Sequence, residues 1–376
     1  MILPGGTLGV LGGGQLGRMF TAEARRMGYR VVVVEPTPDA PAAQLADRHL
    51  VRPWNDPEAL DEVATCCDAV TTEFENVPAD VLRALAAHLP VHPSGDAVAV
   101  TQDRVTEKAF LNRAGIATAG WAPMTEAGEG DAAWAAIGGG PAILKTTRMG
   151  YDGKGQARLG TANELAAAFA SLGGVPCILE RQVALAKEIS VLVARDQGGA
   201  CVTWPVGENV HRHGILHSTV VPASVSDEIA GEARAAATRI ATSLGYVGVL
   251  AVEFFVTTDG QLLANELAPR PHNSGHWTLD AAATSQFEQQ VRVLAGLPLG
   301  DTALLSPAAM VNLLGDLWDG GEPRWERALA VPGIRLHLYG KHEPRPGRKM
   351  GHLTATAADA ATALHRAEAA FAALTS

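Results

Sequence analysis

The chain has 376 residues, 47% of them hydrophobic and 19% charged, with 30 Lys and Arg against 40 Asp and Glu and a formal net charge of −10. That length suits two or three domains with sizeable cores, and the acidic balance excludes a nucleic-acid or anionic-membrane surface while leaving room for a local basic pocket. The opening MILPGGTLGVLGGG has no basic n-region, no window approaches a membrane span, and Cys66, Cys67, Cys177 and Cys201 fit neither a zinc site nor a disulfide framework, so a cytoplasmic protein with buried free thiols is expected.

Residues 7 to 35 read as strand, glycine turn, helix, strand. Thr7 to Leu11 leads into Gly12, Gly14 and Gly17 in G-x-G-x-x-G spacing. Leu16, Met19, Phe20, Ala24 and Met27 then recur at helical intervals over Gln15 to Gly28. Val31 to Val34 is a β-branched run suited to a parallel strand buried on both faces, and it ends at Glu35. Taken literally, the glycines and that acid predict an NAD site, although many other nucleotide-related α/β domains carry the same fingerprint. Further strands are expected at Ala69 to Thr72 and at Val91-His92. Glu73 follows the first of these, at the sheet end where open α/β folds bind ligands.

Thr101 to Ala114 reads as one linking helix whose Arg104 and Lys108 are expected to face solvent. Ala142-Ile143-Leu144 is a short apolar strand ending at Lys145, followed by a loop with Gly150, Gly153 and Gly155. A lysine at a strand end beside free backbone N–H groups can grip polyphosphate, with Lys154 as a second charge; a solvated glycine turn is the plainer alternative. The pattern is not a Walker loop, because Gln156 follows Gly155. Cys177 to Glu180 is a strand ending in a carboxylate, and Glu188 to Val193 begins another. The segment around Val183 between them is a hinge that could read an adenine edge, with Glu188 near the ribose; two sheet-edge glutamates are the alternative.

The sharpest constellation lies further on. Val249 to Val256 is an apolar strand interrupted by Glu253, Asp259-Gly260 signals a two-residue hairpin turn, and Gln261 to Glu266 returns. If Thr258 pairs with Gln261, Glu253 stands directly opposite Glu266. Two carboxylates about 5 Å apart repel unless a proton or cation compensates, and magnesium is the first candidate, with manganese second. A three-residue loop or a bulge would shift this register. Immediately after come Arg270, His272, Asn273 and His276 in a proline-stiffened loop, a set that favours an anion, with His211 and His213 upstream. In the tail, Leu336 to Lys341 reads as a strand. The basic turn Arg345 to His352 suits a phosphomonoester, and Thr354 to Ser376 is an alanine-rich helix.

Five segments together resemble one family: GGGQLGRM (Gly12 to Met19), GYDGKGQ (Gly150 to Gln156), VEFF (Val252 to Phe255), NELAPRPHNSGHW (Asn265 to Trp277) and GRKMGH (Gly347 to His352). In kind and order they are similar to the 5-(carboxyamino)imidazole ribonucleotide synthases, ATP-grasp ligases of purine synthesis. The resemblance implies an α/β fold, α+β in its ATP-grasp part. A Rossmann-like pre-ATP-grasp domain would occupy 1–100, a linker helix and lid 101–195, a catalytic domain with a large antiparallel sheet 196–300, and a small C-terminal domain 301–376. It implies ATP-driven joining of bicarbonate to the exocyclic amine of 5-aminoimidazole ribonucleotide, through carboxyphosphate, by a homodimer.

By the same resemblance, ATP would be held by Arg104, Lys145, the loop Gly150, Tyr151, Asp152, Gly153, Lys154, Gly155 and Gln156, the hinge Glu180, Arg181, Gln182 and Val183, then Glu188, His211, Asn265 and Glu266. Glu253 and Glu266 would hold magnesium. Arg270, His272 and Asn273 would bind bicarbonate or carboxyphosphate. Gln15, Leu16, Glu73, Tyr151, Asp152, Lys341 and Arg348 would surround the ribonucleotide, so the glycine turn would serve that substrate and not NAD. Two positions depart from the pattern: Met149 stands where a glycine is common, and Ala268 where an asparagine often supplies a third metal ligand. A formate-dependent glycinamide ribonucleotide transformylase, an NAD-dependent oxidoreductase and a nucleotide-binding sensor are the competing readings.

Overall fold

Val31 to Val34 are each no more than 4% exposed because their strand lies inside a parallel sheet. The computed structural model describes residues 1–150 and 155–375. Among these residues the strands form three sheets. The first contains β1 (Thr7–Leu11), β2 (Arg30–Val34), β3 (Arg48–Leu50) and β4 (Ala69–Thr72) in the order β3-β2-β1-β4, all parallel. The helix Gln15–Arg26 buries Leu16, Met19, Phe20 and Ala24 against it. The strand expected at Val91-His92 shrinks to one bridge between Val91 and Val70. Pro90 and Pro93 bracket it and supply no N–H for a longer ladder.

The linking helix expected over Thr101 to Ala114 runs from Arg104 to Arg113, and a separate helix, Gly95–Thr101, precedes it. Asp103 is the cause: its carboxylate accepts the Thr106 N–H at 3.0 Å and starts a new helix. A four-stranded antiparallel sheet follows, β5 (Trp121–Met124), β6 (Ala142–Thr146), β7 (Gln156–Leu159) and β8 (Cys177–Arg181), in the order β5-β8-β6-β7.

The third sheet is antiparallel throughout. Its strands are β9 (Leu185–Arg195), β10 (Cys201–Thr203), β11 (Gly207–Arg212), β12 (Ile215–Val221), β13 (Gly248–Thr257), β14 (Leu262–Ala268), β15 (Ala308–Leu314), β16 (Ile334–Leu338) and β17 (Lys349–Thr356). They run β14-β13-β9-β11-β12-β15-β17-β16, with β10 on β9. The change of sheet therefore falls between Arg181 and Leu185, and a boundary at 195 lies at the far end of a strand of the larger sheet. The tail is not a separate layer either: β15 pairs with β12 and extends that sheet. Thr354 to Thr356, expected in the last helix, belong to β17, where the β-branched threonines suit a pleated surface. The helix begins at Ala360, capped by Asp359 at 2.8 Å from the Thr362 N–H.

Two joints tie these parts together. Phe287, Val291 and Leu294 of the helix Gln286–Ala295 share one core with Leu16, Met19 and Phe20. Beside them, buried Gln290 accepts the Val249 N–H at 2.7 Å and donates to Thr71 Oγ1 at 2.9 Å. The glycine turn after β1 is packed just as closely. A Cβ at Gly13 would lie 2.6 Å from Glu35 Cγ and 2.7 Å from Ala40 Cβ. Gly13→Ala is expected to lower stability by about 1–3 kcal/mol, as overpacking does. Urea denaturation checks this, and an unchanged midpoint would show that the turn yields.

Candidate active site

Glu253 and Glu266 do stand opposite each other, but not by the expected route. Thr257, not Thr258, faces Gln261: its N–H donates to the Gln261 carbonyl at 2.9 Å, and Gly260 at φ +82° closes a three-residue loop. That loop pairs Val256 with Leu262 and Phe254 with Ala264, which alone would put Glu266 on the opposite face. A bulge then inserts Asn265 and restores the Glu253–Glu266 pair. The two displacements cancel.

The carboxylates differ in state. Burial and then the Glu266 charge push Glu253 up to about 7. Glu266 also loses part of its hydration, although its side chain stays 39% exposed, and Arg104 and Lys145 outweigh that loss and hold it below the usual carboxylate range. Arg104 Nη1 lies 3.1 Å from Glu266, and its Nη2 donates to the Gly150 carbonyl at 3.1 Å. On the small sheet Lys145 sits 3.1 Å from Glu180 Oε2, with Lys108 at 3.7 Å from the same oxygen. Burial pushes Glu180 up, yet the two lysines and Arg104 bring it down to about 2. Lys108 is 2% exposed, so the expectation that it faces solvent is overturned; its helix is covered on this side by the lid strands and β14.

Glu188 is paired with His211 at 2.6 Å, while His213 is exposed in the β11–β12 turn at φ +53°. At the hinge the Gln182 N–H is taken by the Pro141 carbonyl at 2.8 Å, and the Arg181 N–H by the Gly120 carbonyl at 2.8 Å. Val183 follows between the two sheets. Gln156 pairs with Lys145 at the start of β7, and the Gly155 carbonyl accepts from Thr146 at 2.9 Å. Tyr151, Asp152, Gly153 and Lys154 lie outside the described residues.

The loop after β14 joins the two halves. Arg270 is ion-paired with Glu75 and feels Glu73 on one side and Glu266 on the other. His272 Nε2 is 3.6 Å from Glu253 Oε1, and its Nδ1 is 2.9 Å from Ser274 Oγ. Burial, then Arg270 and Lys349, keep this imidazole neutral. Asn273 is buried with neither side-chain polar atom hydrogen-bonded, a group built to meet something else. His276 does not share the site: it is fully buried against Phe287, Tyr339 and His352.

At the glycine turn, Glu73 accepts the Gly14 N–H at 2.6 Å, and burial pushes it up to about 7. Lys341 Nζ donates to Gln15 Oε1 at 2.7 Å and to the Lys349 carbonyl at 2.6 Å. An open cavity of about 520 Å³ lined by Asp39, Gln44, Gly340, Lys341 and His342 lies beside them. Leu16 is core, with its side chain 6% exposed. The Arg348 guanidinium donates to the Glu343 carbonyl at 2.7 Å, within its own turn. Glu35 overturns the NAD reading: Gly13 and Thr37 N–H groups donate to its two oxygens at 2.9 and 3.0 Å, which takes up the acid a ribose would need.

The ribonucleotide synthetase preATP-grasp domain model matches residues 6–102, the ATP-grasp domain model residues 109–287, and the phosphoribosylaminoimidazole carboxylase C-terminal domain model residues 308–366. An N5-carboxyaminoimidazole ribonucleotide synthase of Brucella melitensis is 49% identical over 93% of this chain and 96% of its own. The chain belongs to the N5-carboxyaminoimidazole ribonucleotide synthase family. An ADP complex of such a synthetase superposes with a TM-score of 0.94 at 42% identity, covering 99% of this chain and 97% of that one. The Aspergillus clavatus enzyme, solved with ADP and 5-aminoimidazole ribonucleotide, gives 0.89 at 30% identity, covering 99% of each chain.

Within this synthase family chain, residue patterns alone missed Glu75 and Glu107. The signal for Glu107 was present: Arg104, Glu107, Lys108 and Leu111 share one helical face, and Leu111 is fully buried. Asp280, His337 and His352 offer ligand atoms within 4.8 Å of one another. The two rings stack 9° from parallel, however, so their lone pairs do not converge on one ion. Met149 sits at φ +62°, which is why a glycine suits this position.

The raised pKa of Glu73 sets a pH test. Its folded pKa of about 7 lies above the ordinary 4.5, so the folded state keeps a proton that the unfolded state loses between those values. Stability therefore falls as pH rises through that window. Glu73→Gln should be more stable than the parent by on the order of 2–3 kcal/mol at pH 8 and nearly equal at pH 4.5. Urea midpoints at both pH values decide it; one constant difference would refute the assignment.

Proposed function

We propose that this chain is the ligase that carboxylates the exocyclic amine of 5-aminoimidazole ribonucleotide, using bicarbonate and ATP and releasing ADP and phosphate in purine synthesis. The observation that carries this reading is the arrangement of three polar groups. Arg104, Lys145 and Glu180 lie on the side of the Glu253–Glu266 pair, Gln15, Glu73 and Lys341 on the other, and Arg270 feels a carboxylate of each.

The donor set fits a hard divalent cation. Two carboxylates share one face, Glu253 is destabilised as an anion by burial and then by its partner, and the Asn265 side-chain oxygen nearby is buried without a hydrogen bond. Glu253 and Glu266 would hold the magnesium, with Ala268 offering no third ligand. A magnesium ion bound there neutralises phosphate charge that builds during phosphoryl transfer. Arg104 and Lys145 hold and orient the polyphosphate, and the hinge from Glu180 to Val183 with Glu188 takes the nucleoside. Bicarbonate is a poor electrophile until one oxygen attacks the γ-phosphorus and ADP leaves, giving carboxyphosphate. Arg270 and the unpartnered Asn273 amide bind that oxyanion. His272, kept neutral, is a hydrogen-bonding group there and not a cation.

The amine of the ribonucleotide attacks the carbon of carboxyphosphate, or of the CO₂ released from it, and loses a proton as phosphate leaves. Glu73, poised near neutrality, is the carboxylate at the glycine turn able to accept one. Lys341 and Arg348 would meet the ribonucleotide phosphate, and Tyr151 and Asp152 the rest of that substrate. The resemblance also implies a cytoplasmic homodimer; among the described residues no helix is long and apolar enough to cross a membrane. A formate-using transformylase would share the nucleotide half and differ in the acyl donor.

Magnesium-dependent ADP release is expected to require the ribonucleotide and to fall when bicarbonate is stripped out; release restored by formate would refute the donor. Glu266→Gln should abolish turnover while melting normally, and full activity in it would remove the metal argument. Lys341→Ala should raise the KM for the ribonucleotide far more than that for ATP, and equal effects would undo its assignment.

A further inference from the structure

β14 is the outer strand of its sheet, so its outward N–H and C=O groups have no neighbouring strand to pair with. At the bulge, side chains of the helix Arg104–Arg113 take that role. Lys108 Nζ donates to the Asn265 carbonyl at 2.7 Å and reaches the Ala264 carbonyl at 3.4 Å. The Leu267 N–H donates to Glu107 Oε1 at 2.7 Å. Glu266 lies between these two anchors, and Arg104 of the same helix holds its carboxylate. Just before them, the Ala264 N–H is taken by the Ala117 carbonyl at 2.8 Å, so the edge is closed from Ala264 to Leu267.

We infer that Glu107 and Lys108 are positioning residues that fix the Asn265 bulge and thereby keep Glu266 facing Glu253. This inference rests on the reading of Glu266 as part of the nucleotide and metal site. The chemistry argues for more than packing. Glu107 and Lys108 are 3% and 2% exposed, and burying two such polar side chains is costly where an apolar pair would fill the same space. Each instead meets a backbone group that the edge of the sheet leaves open, the Leu267 N–H and the Asn265 carbonyl. A bulge breaks the regular ladder, so its residues need such outside partners to hold one conformation. Without them, the strand could shed the extra residue, and Glu266 would turn to the other face of the hairpin.

The test measures Mg-ADP binding by calorimetry, thermal melting without nucleotide, and the KM values for ATP and the ribonucleotide, all on the full chain. Glu107→Leu and Lys108→Met, which fill the space without the bonds, should weaken Mg-ADP binding by about tenfold or more. The KM for ATP should rise with it, while that for the ribonucleotide stays within about twofold. Glu107→Gln keeps the acceptor for Leu267 and should bind within about threefold of the parent. Should the apolar variants not fold, Glu107→Asp keeps the carboxyl but loses the reach, and is expected to weaken Mg-ADP binding. Variants that all bind like the parent, or that raise both KM values equally, would overturn the inference alone. Parent protein that does not bind Mg-ADP would overturn the nucleotide reading beneath it.

Discussion

The site depends on opposite charges buried together where three parts of the chain meet. Arg104 and Lys108 come from the linking helix, Lys145 and Glu180 from the small sheet, and Glu266 from the hairpin of the large one. Each would be expensive to bury alone, and removing one partner leaves the others uncompensated. That requirement couples the positions of elements far apart in sequence. It also explains why Glu180 and Glu266 stay ionised while Glu253, where burial and the Glu266 charge outweigh the positive charge of His211 and Lys349, is pushed towards neutrality.

The glycine turn shows a second use of carboxylates. In a dinucleotide fold, the N–H groups at such a turn meet pyrophosphate. Here two of them meet acids of the chain itself, Gly13 through Glu35 and Gly14 through Glu73. The spacing of the glycines is the same because the geometric demand is the same: close approach of an anionic oxygen to main-chain nitrogen. The occupant differs, and with it the ligand class.

Much of the architecture was legible because it rests on local pattern. The β-branched run Val31 to Val34, the helix after Gly14 and the strand ending at Lys145 follow from periodicity, and the order of motifs pointed to the family. What was not legible depends on partners distant in sequence. Lys108 looks like any helix-surface lysine until the lid and β14 cover it, and the second imidazole of the proline-stiffened loop, His276, turns away because the C-terminal sheet offers Tyr339 and His352. The helix start at Asp103 was readable from capping chemistry, and the start expected at Thr101 falls at the end of the preceding helix. The facing pair Glu253 and Glu266 was reached through a turn one residue too short and a strand without its bulge, so the right pairing came from two offsetting errors.

Those same two irregularities, the three-residue loop at Gly260 and the extra residue at Asn265, bind the hairpin's length to its chirality of facing. Closing the tip between Thr258 and Gln261 while the bulge persists would present Leu267 where Glu266 now stands. Losing the bulge while the tip persists would present Asn265. Only a change at both places is silent. A hairpin re-registered at only one of these two places would keep its strands and lose its site.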